Sequence, residues 1–173
     1  NMITVASTPV AVVITASGST TTCATNVYLS TASATGNTYQ WQLNGNNIAN
    51  ATSYSYSASA TGSYTCVRTN GCGSVTSNII SVTINPLPAT AAITAAGATT
   101  VCSGTVTLNA NVEAGISYQW YYNSGIIASA TNTSYAGSAS GSYYVRETNG
   151  YGCYRNSNSI SLLISSPVAT VTP

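Results

Sequence analysis

Charge is what this chain most conspicuously lacks. Arg68, Arg146 and Arg155 stand against Glu113 and Glu147, with no lysine, aspartate or histidine. Without histidine or aspartate, a serine or cysteine nucleophile has no usual base to activate it. The two glutamates fall at non-equivalent places, and they make a paired-carboxylate site only if they meet. No enzyme activity and no cofactor are therefore expected. Calcium rigidification wants clusters of acidic side chains, which are absent, and isopeptide cross-links need lysine. A net charge of +1 supplies no electrostatic footprint for nucleic acid or anionic lipid. No apolar run approaches the ~20 residues of a spanning helix, so no membrane insertion is expected. There is no initiating methionine and no signal peptide, so Asn1 reads as the start of a mature or excised segment. The surface has to be covered by Ser, Thr, Asn, Gln and Tyr, a neutral polar coat suited to an extracellular structural protein.

What is present is a repeat. Tyr39-Gln40-Trp41 returns 79 residues later as Tyr118-Gln119-Trp120, and Gly62-Ser63-Tyr64 returns as Gly141-Ser142-Tyr143. Pro9, Pro88 and Pro167 keep the same 79-residue spacing. Such a period means stacked units. The chain reads as two modules, 9–87 and 88–166. Residues 1–8 form the last strand of a preceding module or a donor strand for another chain. Residues 167–173 form the start of a following module. The linker Asn85-Pro86-Leu87-Pro88 is short and stiffened by proline.

Within each module short alternating runs predict strands. Val10–Thr15 opens module one. Val27 and Leu29 alternate with polar neighbours, as do Tyr39, Trp41 and Leu43, and Asn44-Gly45 supplies a hairpin turn. Tyr54 and Tyr56 precede the Gly62 corner, and Ile80, Val82 and Ile84 close the module. Module two repeats this, and no helical period is found. The expected fold is all-β: two tandem immunoglobulin-like sandwiches, with Trp41 and Trp120 in the cores opposite Tyr64 and Tyr143. Tyr64, two residues before Cys66, fits the tyrosine-corner pattern. Cys66 shares the inward phase of Tyr64 and aligns with Val145, so it is expected to be a buried free thiol acting as a small hydrophobe.

The order Cys23, Val27-Tyr28-Leu29, Tyr39-Gln40-Trp41, Asn44-Gly45, Gly62-Ser63-Tyr64, Gly71-Cys72 resembles the Ig-like repeat modules of large secreted Bacteroidota cell-surface proteins, gliding-motility-type adhesins among them. Module two matches through Cys102, Val106-Thr107-Leu108, Tyr118-Gln119-Trp120, Gly141-Ser142-Tyr143 and Gly152-Cys153. It departs in having Asn123-Ser124-Gly125 at the turn and two extra residues before its last cysteine. The resemblance implies secretion and a stalk or adhesin role.

Five cysteines in modules this small favour an oxidising, extracellular location. Cys23, Cys72, Cys102 and Cys153 are disulfide candidates. Pairing within each module joins Cys23 to Cys72 and Cys102 to Cys153. In an Ig-type sandwich, however, those sulfurs lie at opposite poles, whereas Cys23 and Cys153 both face the junction between modules. Both arrangements stay open at this point. Asn50-Ala51-Thr52 and Asn132-Thr133-Ser134 fit the N-glycosylation sequon. The clusters Tyr54/Tyr56 and Tyr121/Tyr122 can be read as stacking surface or as ordinary strand faces. The leading expectation is a non-catalytic shaft whose partners are neighbouring repeats or identical chains. The alternatives are a module that binds glycan, protein or a cell surface through loops Thr31–Thr38 and Asn70–Ser74, and a strand-exchanging subunit.

Overall fold

The computed structural model describes residues 8–165. The expected preceding strand (apart from Thr8) and the start of a following module lie outside the described residues. The chain divides into two compact units, Asn1–Asn85 and Pro86–Pro173. No helix forms among the described residues.

Module one contains β1 (Ile14–Ala16), β2 (Thr21–Cys23), β3 (Val27–Thr31), β4 (Thr38–Leu43), β5 (Asn46–Asn47), β6 (Ser55–Ala58), β7 (Gly62–Asn70), β8 (Gly73–Thr76) and β9 (Ile80–Asn85). They build two sheets. One has the order β1-β3-β6; the other has the order β2-β9-β7-β4-β5, with β8 also paired to β7. Module two repeats the plan with β10 (Ile93–Ala95), β11 (Thr100–Val101), β12 (Val106–Ala110), β13 (Ser117–Tyr122), β14 (Gly125–Ile126), β15 (Ser134–Gly137), β16 (Gly141–Thr148), β17 (Tyr154–Asn156) and β18 (Ile160–Ile164). Its sheets run β10-β12-β15 and β11-β18-β16-β13-β14, with β17 on β16. This is an immunoglobulin-like sandwich, made twice.

Alternation sets the core. Val27 and Leu29 turn inward from β3, Trp41 from β4, Tyr64 and Cys66 from β7, and Val82 from β9. Val106, Leu108, Trp120, Tyr143, Val145 and Leu162 do the same in module two. Trp41 and Trp120 are both 0 % exposed. Trp41 lies opposite Cys66 in the β4–β7 register, as Trp120 lies opposite Val145. The Tyr64 hydroxyl donates to the Ala60 carbonyl at 2.9 Å, and that of Tyr143 to Ala139 at 2.9 Å. Each is a tyrosine corner tying a strand start to backbone four residues upstream.

The glycine of Gly-Ser-Tyr has a steric reason. A Cβ at Gly62 would strike Leu43 and the Asn44 side chain; at Gly141 it would strike Tyr122 and Asn123. The adjoining hairpin turns are left-handed at both central residues, Asn44 and Gly45 in module one and Asn123 and Ser124 in module two. Asn123-Ser124 thus makes the same kind of turn without glycine. In both cases the Asn side chain accepts the backbone N–H that follows the motif glycine, at 2.9 Å for Ser63 and 3.0 Å for Ser142.

The first strand is shorter than the Val10–Thr15 run. β1 begins only at Ile14, whose N–H and C=O are both held by the Asn78 side chain, at 2.8 and 3.2 Å. Before it, the Val10 carbonyl accepts from Arg68 rather than from a strand partner.

Candidate functional site

Each module has two poles. The leading pole carries the loop between its third and fourth strands and the hairpin after the tyrosine strand. The trailing pole carries the end of the module's last strand. The repeated Tyr-Gln-Trp triad sets up the frame residue by residue. The Tyr39 hydroxyl accepts from Ala34 N at 2.8 Å and donates to Ala32 O at 3.3 Å, and so pins the leading loop. Tyr118 does the same with Glu113 N and Asn111 O. Gln40 Nε2 donates to Trp41 O and Ile48 O, holding the edge after β5, and Gln119 does likewise to Trp120 O and Ile127 O. The indole N–H of Trp41 reaches Ser53 O and that of Trp120 reaches Asn132 O, both at 2.9 Å.

The two module-one loops singled out as binding candidates do come together. Ala34 and Asn37 from one side, and Arg68 and Asn70 from the other, line an open groove of about 200 Å³ with Pro9 and Val10. That is smaller than the ~300–1,000 Å³ of ordinary small-molecule sites. Within it Arg68 donates to Val10 O at 2.8 Å, while its buried Nε has no hydrogen-bond partner.

The equivalent position in module two is Glu147, which is 0 % exposed. Burial pushes its carboxyl above the ordinary glutamate value, and neighbouring Glu113 adds to the effect; the Asn111 amide pulls the other way. Neither carboxyl oxygen has a hydrogen bond of good geometry, and Asn111 is already engaged with Thr90 O at 2.6 Å. Burial therefore dominates. The two glutamates are close enough to interact, but a carboxyl sealed from solvent cannot reach a substrate, and Glu113 Oε2 accepts from Ala89 N. Among the described residues, no group of three or more metal-ligating side chains forms.

The cysteines divide by state. Cys23 and Cys153 are disulfide-bonded. Cys66 is a buried free thiol, which burial pushes up in pKa, and Cys72 and Cys102 are exposed free thiols. Register explains why pairing within a module does not occur. Cys23 pairs with Asn85 at the trailing end of β9, while Gly62, the start of β7, pairs with Val82. Cys72 follows the far end of β7. The two therefore stand roughly 40 Å apart at ~3.3 Å per residue, against the ~7 Å between Cα atoms that a disulfide allows. Module two has the same separation of poles: Val101 pairs with Ile164, whereas Cys153 lies in the β16–β17 hairpin at the other end.

Sequence reading missed several repeated polar devices. Asn78 and Asn158 each grip both backbone groups of Ile14 and Ile93, tying the two sheets of each sandwich. The recurring Ser-Asn pairs, Ser77-Asn78 and Ser157-Asn158, are the signal that would have found them. Asn70 Oδ1 accepts from Cys72 N at 2.9 Å, and Asn149 Oδ1 accepts from Cys153 N at 3.1 Å. One surface is not repeated. Tyr121 and Tyr144 stack at 4.7 Å, with Arg146 over the rings of Tyr121 and Tyr154, where module one has Gln42, Thr65, Val67 and Ser74. The sequon asparagines Asn50 and Asn132 are exposed.

No family model and no curated protein matches the chain. Among solved structures, it is similar to a chain of the crystal structure of the mouse coronavirus receptor-binding domain complexed with its murine receptor, at 20% identity and a TM-score of 0.43. It is also similar to murine CEACAM1b, at 19% identity and a TM-score of 0.40. Each likeness covers 88% of this chain and 99% of that one. The Ig-like assignment stands on this chain's own strand order, buried tryptophans and tyrosine corners.

Proposed function

We propose that the chain is a non-catalytic, load-bearing repeat segment, the shaft or stalk of an extracellular filament or large surface adhesin of the kind its sequence resembles. One observation carries this reading. In each module an early strand and the last strand run parallel: Thr21, Thr22 and Cys23 beside Thr83, Ile84 and Asn85, and Thr100 and Val101 beside Leu163 and Ile164. Pulling the two chain ends apart drags parallel neighbours in opposite directions along their length, so all the rungs carry load together. An antiparallel pair of terminal strands would open rung by rung. The disulfide-bonded cysteines fit an oxidising, extracellular setting. The sealed Glu147 and the lack of histidine and aspartate support a role without catalysis. Single-molecule stretching under reductant tests the idea. Two unfolding steps of similar, resolvable force are expected, and strands that peel apart without a force peak would defeat it.

A second reading, a module that binds glycan or protein, is favoured by the Tyr121–Tyr144–Arg146–Tyr154 face of module two, which a plain shaft would not need to vary. Tyr154 is half exposed at 51% and free to make a further contact. Capture on a glycan array or on cells that falls with Tyr154→Ala would favour binding over a pure shaft role. Equal behaviour of the two proteins would remove this reading.

A further inference from the structure

We propose that the outer face of the β16 sheet in module two binds an acidic polysaccharide, with Arg146 taking the carboxylate of a uronic acid unit and Tyr154 the apolar face of a sugar ring. The inference stands on module two alone and rests on the binding-module reading above, whose ligand it names. Tyr121 of β13 lies in one row of the sheet between Ile126 of β14 and Tyr144 of β16. The Tyr121 and Tyr144 rings stack at 4.7 Å, inclined by only 5°. Further along β16, Arg146 sets its guanidinium carbon 5.0 Å from the centre of the Tyr121 ring and 4.2 Å from that of Tyr154 on β17. Tyr121 is only 7% exposed and serves as the floor, whereas Ile126 and Tyr154 are open to solvent.

The equivalent face of module one shows that the framework does not require this. There the row is Asn47, Gln42 and Thr65, and it closes on its own hydrogen bonds. Gln42 donates to Asn47 at 2.9 Å, and Thr65 donates to Gln42 at 3.1 Å. Val67 stands where module two has Arg146, and Ser74 where it has Tyr154. The inward residues of the same strands are kept, Trp41 and Tyr64 answering to Trp120 and Tyr143. A self-satisfied polar row is thus exchanged as a set for rings and a cation, on the side of the strands that no core explains.

Charge and hydrogen-bond chemistry name the occupant. The Arg146 Nε donates to Asn156 Oδ1 at 3.2 Å, which leaves the fork of terminal nitrogens for a ligand. Neither glutamate of the chain answers this cation. Glu147 is sealed on the opposite side of β16, and Glu113 accepts from Ala89 N. A guanidinium fork fits a carboxylate through parallel N–H···O bonds. Stacking has already ordered the side chain, so little of its freedom is left to lose on binding. A peptide enters such a domain by adding a strand to an edge or by filling pockets with anchor side chains. Arg146, however, stands on the flat of the sheet, on a strand paired to β13 on one side and to β17 and β18 on the other. A sugar needs neither edge nor pocket, since its C–H face lies on an exposed tyrosine ring while its polar groups meet the polar tips.

Calorimetric titration of the full chain tests this, with oligogalacturonate, the same oligosaccharide methyl-esterified at its carboxyls, and polyglutamate as probes. Oligogalacturonate should bind saturably, and the other two at least about tenfold more weakly, the loss expected with one charge-assisted hydrogen bond. Arg146→Gln and Tyr154→Ala should each weaken oligogalacturonate binding by about the same factor. Arg155→Gln, which removes the same charge elsewhere in module two, should leave it unchanged. Thermal melts check that each variant folds, and the comparison of acid with ester needs no variant at all. An ester bound as tightly as the acid, or an equal loss in Arg155→Gln, would overturn the inference. Polyglutamate bound as tightly as the sugar would assign the face to acidic peptides and overturn it too. So would no binding of oligogalacturonate, and if capture on a glycan array or on cells still fell with Tyr154→Ala, the binding-module reading would survive without it.

Discussion

At the scale of residues, the sharpest asymmetry is a cation and an acid in one repeated position. Arg68 donates one terminal nitrogen to Val10 O, although its buried Nε has no hydrogen-bond partner. Glu147 has no such outlet, and its folded-state pKa is raised chiefly by burial. The sign of the linkage follows. A carboxyl whose pKa is raised on folding gives module two its full stability below the ordinary value of about 4.5, where both states are protonated. As pH rises above that, the unfolded chain ionises first, and stability declines until the pH has passed the folded-state pKa. Thermal melts of the chain should therefore show module two weakening from mildly acid to neutral pH. Glu147→Gln, which keeps the shape without the charge, should remove most of that slope and raise stability at neutral pH. An unchanged slope in the variant would show that the carboxyl is already solvated or paired.

At the scale of elements, the fold was legible because alternation and turn chemistry agree. Val27 and Leu29, the Tyr-Gln-Trp strand and the Gly-Ser-Tyr strand each alternate with polar neighbours, and Asn44-Gly45 carries the left-handed turn its hairpin needs. What stayed hidden depends on partners distant in the chain. In the sequence Ser77-Asn78 is one more polar pair beside the last strand. Its role, interrupting the edge between β8 and β9 and gripping Ile14, appears only when the opposite sheet is in place. Gln40 and Gln119 look like surface residues of an alternating strand, yet their amides hold the backbone across the β4 and β13 edges. The burial of Glu147 was foreshadowed only by its phase with Tyr143 and Val145. The separation of Cys23 from Cys72 was legible from the poles of an Ig-type sandwich, and the parallel register of β2 with β9 sets its size. The resemblance of the chain to secreted repeat modules agrees with the sandwich but does not identify a ligand.

At the scale of the whole molecule, the plan is one sandwich made twice, and each module closes on its own parallel pair. In module one β2 runs beside β9 over three rungs, and in module two β11 runs beside β18 over two. In a shaft under tension the shorter pair should give way first, so stretching under reductant is expected to show module two unfolding at the lower force. The terminal pair can be weakened in one module alone. Thr22→Pro places a residue without an N–H in the middle of β2, where it cannot donate across the pair. That change should lower the force of the module-one step and leave the module-two step where it was. An unchanged module-one force would show that the parallel terminal strands do not carry the load, and the shaft reading would lose the observation it rests on.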